Sequence, residues 1–321
     1  MIYTVAVTRA IPESGIKMLK KKGYNVKVSR YNRVLKPREL KKFVKGADAI
    51  LCLLTDKIDK SVLDAAGPQL KIVANYAVGY DNINVNDLKS AKVKGSNTPG
   101  VLTDSVADHA FALLMSIAKR IPEADVFTKK GMYKGWAPML FLGGDIAGKT
   151  LGIVGMGRIG FAVAKRAQGF GMNIIYNDYN GANAKIDKHL KTVYKSLGTV
   201  IRQADYLSVH VPLLPTTRHL ISTKQFNAMK KTSYLINTSR GPVVNEKALV
   251  KALKKGQIAG VALDVFEKEP KVARGLKRMQ NAILTPHIAS ASVGTRSAMS
   301  EIAAKNIIAC LSNKKLPNKI A

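Results

Sequence analysis

A cation, a carboxylate and an imidazole stand in three separated stretches of the 321-residue chain. They are Arg240 in LINTSRGPV (235–243), Glu269 in VALDVFEKEP (261–270) and His287 in ILTPHIASAS (283–292). Each follows a short apolar run that reads as a buried strand. In an open α/β sheet, strand ends on one edge face the ligand crevice. The three groups can therefore converge on one small anionic substrate although they are far apart in sequence. Each also has a plainer reading. Arg240, between Ser239 and Gly241, could close a structural salt bridge. Glu269 and the nearby Asp264 could be solvated turn carboxylates. A lone histidine is commonly structural, but His287 follows Thr285-Pro286 and precedes small residues, which leaves room for a ligand. Of the other histidines, His109 reads as a packed core residue, His189 and His219 as surface or turn residues, and His210 as either.

The elements that must position these groups alternate strand and helix. Residues 2–8 read as a strand and Pro12–Lys22 as a helix, with Pro at its start and Gly23 past its end. Strands follow near 24–29, 49–54 and 71–74, with helices near 37–45 and 60–66; residues 75–81 form a loop. This is a parallel βαβ pattern. Asn97-Thr98-Pro99-Gly100 is a turn or hinge. Asp104–Arg120 is apolar nearly all round, which predicts a buried helix, and residues 131–149 are glycine-rich and loop-like, with the single tryptophan, Trp136. From Thr150 a second α/β unit begins: strands at 150–155, 173–178, 206–211, 233–238, 259–265 and 282–285, a helix from Arg158 to Phe170, others between the later strands, and a last helix from about Thr295 to Leu311.

The strongest local motif is Gly155-Met156-Gly157-Arg158-Ile159-Gly160. A GxGxxG is weak alone, but this one follows an apolar strand and opens a helix. That context suits a dinucleotide: a tight turn, close approach of backbone to a pyrophosphate, and free N–H groups at a helix N-terminus. Asp178 ends the next strand, where a carboxylate would bind the adenosine ribose hydroxyls and repel a 2′-phosphate. The residues after it, Tyr179 to Ala182, bring no cation before Lys185. NAD is expected over NADP. No histidine or cysteine pair has metal-ligand spacing, so no metal is expected.

Composition sets the frame. Hydrophobic content of 46% and charged content of 23% suit a globular chain with room for two domains. The N-terminus lacks a signal-peptide pattern and the longest apolar stretch, Ala110–Ala118, is too short to cross a bilayer. Two cysteines without metal or redox spacing point to a reduced, cytoplasmic setting. The net charge of +31 raises nucleic-acid binding. The basic pairs are scattered, however, and no stripe is interleaved with aromatics, so solvated lysine faces are expected instead.

Taken in order, NYAVGYDNIN (75–84), NTPGVLTDSVADHAFALL (97–114), GWAPMLFLGGDIAGKTLGIVGMGRIG (135–160), HVPLLPTTRHLI (210–221), LINTSRGPVVNEKALVKAL (235–253), ALDVFEKEP (262–270) and LTPHIASAS (284–292) resemble the D-isomer-specific 2-hydroxyacid dehydrogenases. The first three are most like the branch that reduces glyoxylate and hydroxypyruvate. The resemblance covers essentially the whole chain. It implies two doubly wound parallel-sheet domains: a Rossmann NAD-binding domain (98–289) inserted in a discontinuous flavodoxin-like substrate domain (1–97 plus 290–321), with the active site in the cleft between them. It also implies a chain without the C-terminal regulatory domain of many phosphoglycerate dehydrogenases.

The resemblance carries roles onto residues. His287 is the general acid that protonates the keto oxygen, and Glu269 pairs with it and favours the imidazolium. Arg240 binds the substrate carboxylate with its planar fork. Backbone N–H groups of Val78 and Gly79 hold the same carboxylate, and Leu54 shapes the side-chain pocket. Asp264 binds the nicotinamide end, Arg158 and Ile159 contact the pyrophosphate, and Thr238 and the backbone around Pro212 line the cofactor cleft. Trp136 reaches the neighbouring subunit's site in a homodimer, or anchors the dimer interface. Two alternatives stay open: another specificity, such as D-lactate or D-3-phosphoglycerate, and a dinucleotide-sensing corepressor-like binding protein.

Overall fold

The computed structural model describes residues 2–321, which form two compact units: 2–102 with 291–321, and 103–290. In the first unit β1 (Thr4–Val7), α1 (Glu13–Lys21), β2 (Asn25–Val28), α2 (Pro37–Val44), β3 (Ala49–Cys52), α3 (Lys60–Ala66), β4 (Ile72–Asn75), α4 (Val85–Ser90) and β5 (Lys94–Ser96) build an all-parallel sheet. Its order is β2-β1-β3-β4-β5, the flavodoxin-like arrangement. The fully buried strands AILC and IVAN have no polar face because helices cover both sides.

The second unit opens with α5 (Thr103–Ala118) and α6 (Ile121–Lys129). It continues through β6 (Thr150–Val154), α7 (Arg158–Gly169), β7 (Asn173–Asn177), α8 (Ala184–Leu190), β8 (Val193–Tyr194), α9 (Leu197–Gln203) and β9 (Tyr206–Val209). It closes with α10 (Thr223–Ala228), β10 (Tyr234–Asn237), α11 (Glu246–Lys254), β11 (Gly260–Leu263) and β12 (Ala282–Leu284). The parallel order β12-β11-β10-β9-β6-β7-β8 reverses direction between β6 and β9, the switch point of a doubly wound sheet. Alternate residues serve the two faces. Leu151, Ile153, Ile236 and Ala262 pack under α5 and α7, while Leu207, Val209, Leu235, Val261 and Leu263 pack under α9, α10 and α11. The chain then returns to the first unit as α12 (Val293–Leu311), whose Ser300 hydroxyl donates to Pro12 O and accepts from Gly15 N beside α1.

The expected α/β class and parallel sheets are present. The structure adds α4, β5, α6, α8 and the two-residue β8. The strand β5 reads Lys-Gly-Ser, which carries no apolar alternation to reveal it; its pairing with β4 makes it a strand. α6 has no fully buried residue, so it has no core-facing stripe to detect. Among the described residues no helix is long and apolar enough to cross a membrane.

Candidate active site

β10, β11 and β12 are adjacent parallel strands, so the segments after them leave the same edge of the sheet. Those segments carry Arg240, Glu269 and His287. His287 Nδ1 lies 3.0 Å from Glu269 Oε2, with the side chains 25% and 29% exposed: sheltered, yet open to a small molecule. The other Glu269 oxygen accepts from Phe266 N at 3.0 Å, so the carboxylate is fixed at both ends. Arg240 is half-buried, and its guanidinium donates to Ser239 O at 2.9 Å.

His287 has φ +56°, an uncommon left-handed conformation that a tight turn requires and its surroundings must hold. The imposing group is Asp264, fully buried at the end of β11. Its carboxylate accepts from Thr285 Oγ1 at 2.6 Å and from the backbone N–H groups of Ile288 and Ala289 at 2.8 Å each, so it grips the turn on both sides of the imidazole. Burial works against its charge. Hydrogen bonds from His109, Thr285, Ile288 and Ala289 outweigh burial and hold its pKa below the usual carboxylate range.

His109 corrects the sequence reading. On α5 it is a partly exposed polar partner, not a packed core residue: Nε2 is 3.1 Å from Thr285 Oγ1 and 3.4 Å from Asp264 Oδ1. His219 does lie in a turn, with φ +53°, but its ring is hydrogen-bonded to Glu267 at 2.7 Å. His189 stacks on Phe161, and His210, behind the glycine loop, is bonded to Ser208 Oγ at 2.8 Å. Burial lowers the His210 pKa to about 4.

The nucleotide motif lies at the switch point. Gly155 has φ +96°, and a Cβ there would press on His210 O at 2.8 Å; a Cβ on Gly160 would strike Gly155 O. Around Gly157 nothing lies within 4 Å of that position, so backbone is open to an incoming group. Arg158, exposed, and Ile159 begin α7, whose N-terminal amides favour an anion. Asp178 accepts from Met156 N at 2.8 Å and from Asn180 N at 2.9 Å, tying the end of β7 to the glycine loop. Thr238, just past β10, has a buried hydroxyl with no protein partner. An orphaned hydroxyl, an open glycine loop and a helix N-terminus fit a bound dinucleotide. The Pro212 carbonyl is taken by Thr217 Oγ1 at 2.6 Å, which shapes the loop after β9.

In the first unit, the loop after β4 has its carbonyls turned inward. Asn75 Nδ2 donates to Gly79 O and Asn97 Nδ2 to Val78 O, both at 2.8 Å, while Thr98 N donates to Ala77 O. Val78 and Gly79 are half-buried. Leu54 sits on a loop pinned by buried Asp56, which accepts from Leu53 N and from Thr8 Oγ1. Trp136, 82% exposed, lies in a segment with exposed Met132, Tyr133, Met139 and Leu142.

The likeness to known proteins agrees with this geometry. Residues 111–289 match the family described as D-isomer specific 2-hydroxyacid dehydrogenase, NAD binding domain. The chain is 47% identical over 320 residues to glyoxylate reductase of Thermococcus litoralis, covering 98% of this chain and 96% of that one. A Thermus thermophilus crystal structure superposes with a TM-score of 0.93 at 39% identity, covering 99% of this chain and all of the other. An NADPH-dependent glyoxylate/hydroxypyruvate reductase of Sinorhizobium meliloti, solved with NADP and malonate, gives 0.87 at 32% identity over 100% of this chain and 97% of that one. With an NAD-binding domain at the switch point and full-length likeness to these enzymes, the chain belongs to the D-isomer-specific 2-hydroxyacid dehydrogenases.

Proposed function

We propose that this dehydrogenase reduces glyoxylate, and hydroxypyruvate beside it, to the 2-hydroxy acid, with His287, Glu269 and Arg240 as its catalytic residues. The observation that carries the reading is the His287–Glu269 pair at 3.0 Å on a turn clamped by Asp264. A bound reduced nicotinamide supplies the hydride. His287 Nε2 is the ring nitrogen left for substrate once Nδ1 faces Glu269, and it gives its proton to the keto oxygen. Glu269 fixes the ring's orientation and offsets its charge. Arg240 grips the substrate carboxylate and draws electron density from the carbonyl. In the first unit the Val78 and Gly79 N–H groups are the substrate contacts, and Asn75 and Asn97 occupy the loop's carbonyls. Leu54 borders the side-chain pocket.

In this reading the first unit is the substrate-binding domain and the second the nucleotide-binding domain. NADH is the preferred reductant, because the Asp178 carboxylate meets the ribose where a 2′-phosphate would sit. Asp264 holds the His287 turn and meets the nicotinamide end. Thr238 and Pro212 line the nucleotide site, and Arg158 and Ile159 meet the pyrophosphate. The exposed apolar row around Trp136 supports a homodimer. The buried, unpaired thiols of Cys52 and Cys310 suit the cytoplasm. The test is NADH oxidation with glyoxylate, hydroxypyruvate, pyruvate and 3-phosphohydroxypyruvate. Glyoxylate should give the highest kcat/KM; a clear preference for pyruvate or the phosphorylated acid would assign another specificity.

A further inference from the structure

Three segments that the roles above leave aside are stitched together directly behind Arg240 and Glu269. Glu267 precedes Glu269 by two residues, and its Oε1 accepts from His219 Nε2 at 2.7 Å. Its Oε2 accepts from Glu246 N at 3.2 Å, while Glu267 N donates to Glu246 Oε1 at 2.6 Å. The two glutamates thus exchange backbone-to-carboxylate hydrogen bonds. Glu246 opens α11, immediately after the loop that begins at Arg240. That loop is also held by the His219 segment: His219 N donates to Pro242 O at 2.8 Å, Ile221 N to Val243 O at 3.1 Å, and Asn245 N to Ile221 O at 2.9 Å. His219 is therefore tied to the Arg240 loop through its backbone and to the Glu269 loop through its ring.

We propose that His219, Glu267 and Glu246 are positioning residues that hold the Arg240 and Glu269 loops in register, so that the carboxylate clamp and the His287 partner stand at a fixed separation. This rests on the roles given above for Arg240 and Glu269. The chemistry favours geometry over stability as the purpose. Two carboxylates are brought together with one of them, Glu246, buried, and burial raises its pKa. Such an arrangement is a poor way to stabilise a fold, since an apolar pair of similar volume would do as well or better. It is a good way to fix two loops, because the bonds to the two carboxylates are charge-assisted and directional. His219 supplies the donor that keeps Glu267 aimed at Glu246. The contact directly beyond the network is Phe266 N to Glu269 Oε1 at 3.0 Å, one peptide from Glu267.

The test is steady-state kinetics of the full chain with glyoxylate and NADH for His219→Ala, His219→Gln and Glu267→Gln, with unfolding midpoints measured alongside. Gln at 219 can place an N–H where the imidazole Nε2 stands. His219→Ala should raise KM for glyoxylate and lower kcat, each by about tenfold, a cost typical of losing a hydrogen bond to a charged group. The Kd for NADH should stay within about twofold. His219→Gln should recover most of both losses at a similar unfolding midpoint. Glu267→Gln keeps one of the two acceptor oxygens and should fall between, which tests the network even where the alanine variant does not fold. Wild-type KM and kcat in His219→Ala, or in Glu267→Gln, would overturn the proposal. So would equal losses in His219→Ala and His219→Gln. Arg240→Ala separates the two levels. A raised KM there with unaltered His219 variants overturns only the positioning role, whereas a normal KM in Arg240→Ala overturns the site reading and this proposal with it.

Discussion

Gly241→Ala is the substitution for which the structure gives the most direct magnitude. Gly241 follows Arg240 and lies against the backbone of Phe266 and Glu267. A Cβ there would overlap the Phe266 carbonyl and stand 2.5 Å from Glu267 N, where ordinary contact begins near 3.4 Å. The obstacle is backbone on both sides, so no side-chain rotation relieves it, and the two loops must part by about 1–1.5 Å. One loop carries Arg240 and the other Glu269. A misplacement of about 1 Å at a reacting site costs on the order of 10²-fold, so kcat/KM for glyoxylate should fall roughly a hundredfold, about 2.7 kcal/mol of transition-state stabilisation. Overpacking should also lower stability by about 1–3 kcal/mol. The glycine loop and Asp178 follow other strands, while Thr238 and Asp264 flank the displaced loops, so NADH affinity by fluorescence titration should fall, but by less than kcat/KM for glyoxylate. A folded Gly241→Ala enzyme with kcat/KM within about threefold of wild type would refute the argument that these loops need this separation.

Five other outcomes follow from the same geometry. His287→Ala should lower kcat by about 10²–10⁴ with little change in NADH affinity; Glu269→Gln, which can keep a hydrogen bond to the ring but not the charge, should lower kcat by less. A wild-type kcat in Glu269→Gln would dissociate the pair functionally. Asp178→Ala should raise KM for NADH by about tenfold and bring NADPH turnover toward that of NADH, the cost of one charge-assisted bond; a wild-type preference for NADPH would contradict the role given to Asp178. Sedimentation equilibrium should show a dimer, weakened by about tenfold or more in Trp136→Ala if the tryptophan anchors the interface; an active monomer would remove the cross-subunit reading. The His210 pKa near 4 lies below the unfolded value of 6.5, so the unfolded chain binds more protons between them. Its contribution, roughly 3 kcal/mol, is present above pH 6.5 and lost as pH falls through that window. Urea unfolding at neutral and mildly acid pH should show a smaller acid loss for His210→Gln.

Much of this site was legible in the chain. Apolar runs ending in Asn-Thr-Ser-Arg, Asp-Val-Phe-Glu and Thr-Pro-His announce buried strands with polar ends, and parallel topology sends such ends to one edge. The GxGxxG, with Asp178 a strand later, marks the switch point because local backbone geometry alone makes that turn. What stayed hidden depends on partners distant in sequence. His109, on a helix of alanines and leucines, looked like core. Only the packing of α5 against the sheet brings its Nε2 to Thr285 and Asp264, far along the chain.

The two glutamates of DVFEKEP make the division plainest. Residue types and spacing placed Glu269 and His287 at one sheet edge and left Glu267 and His219 without a role. Residues two apart on an irregular loop can face different neighbours, and which one each meets is set by the loops that fold against them. In the structure Glu269 meets His287, and Glu267 meets His219 and the start of α11. The sequence by itself determined the chemistry available and the sheet that gathers it. The tertiary structure decided which acid serves which base, because hydrogen bonds are short and directional while chain connectivity constrains only near neighbours.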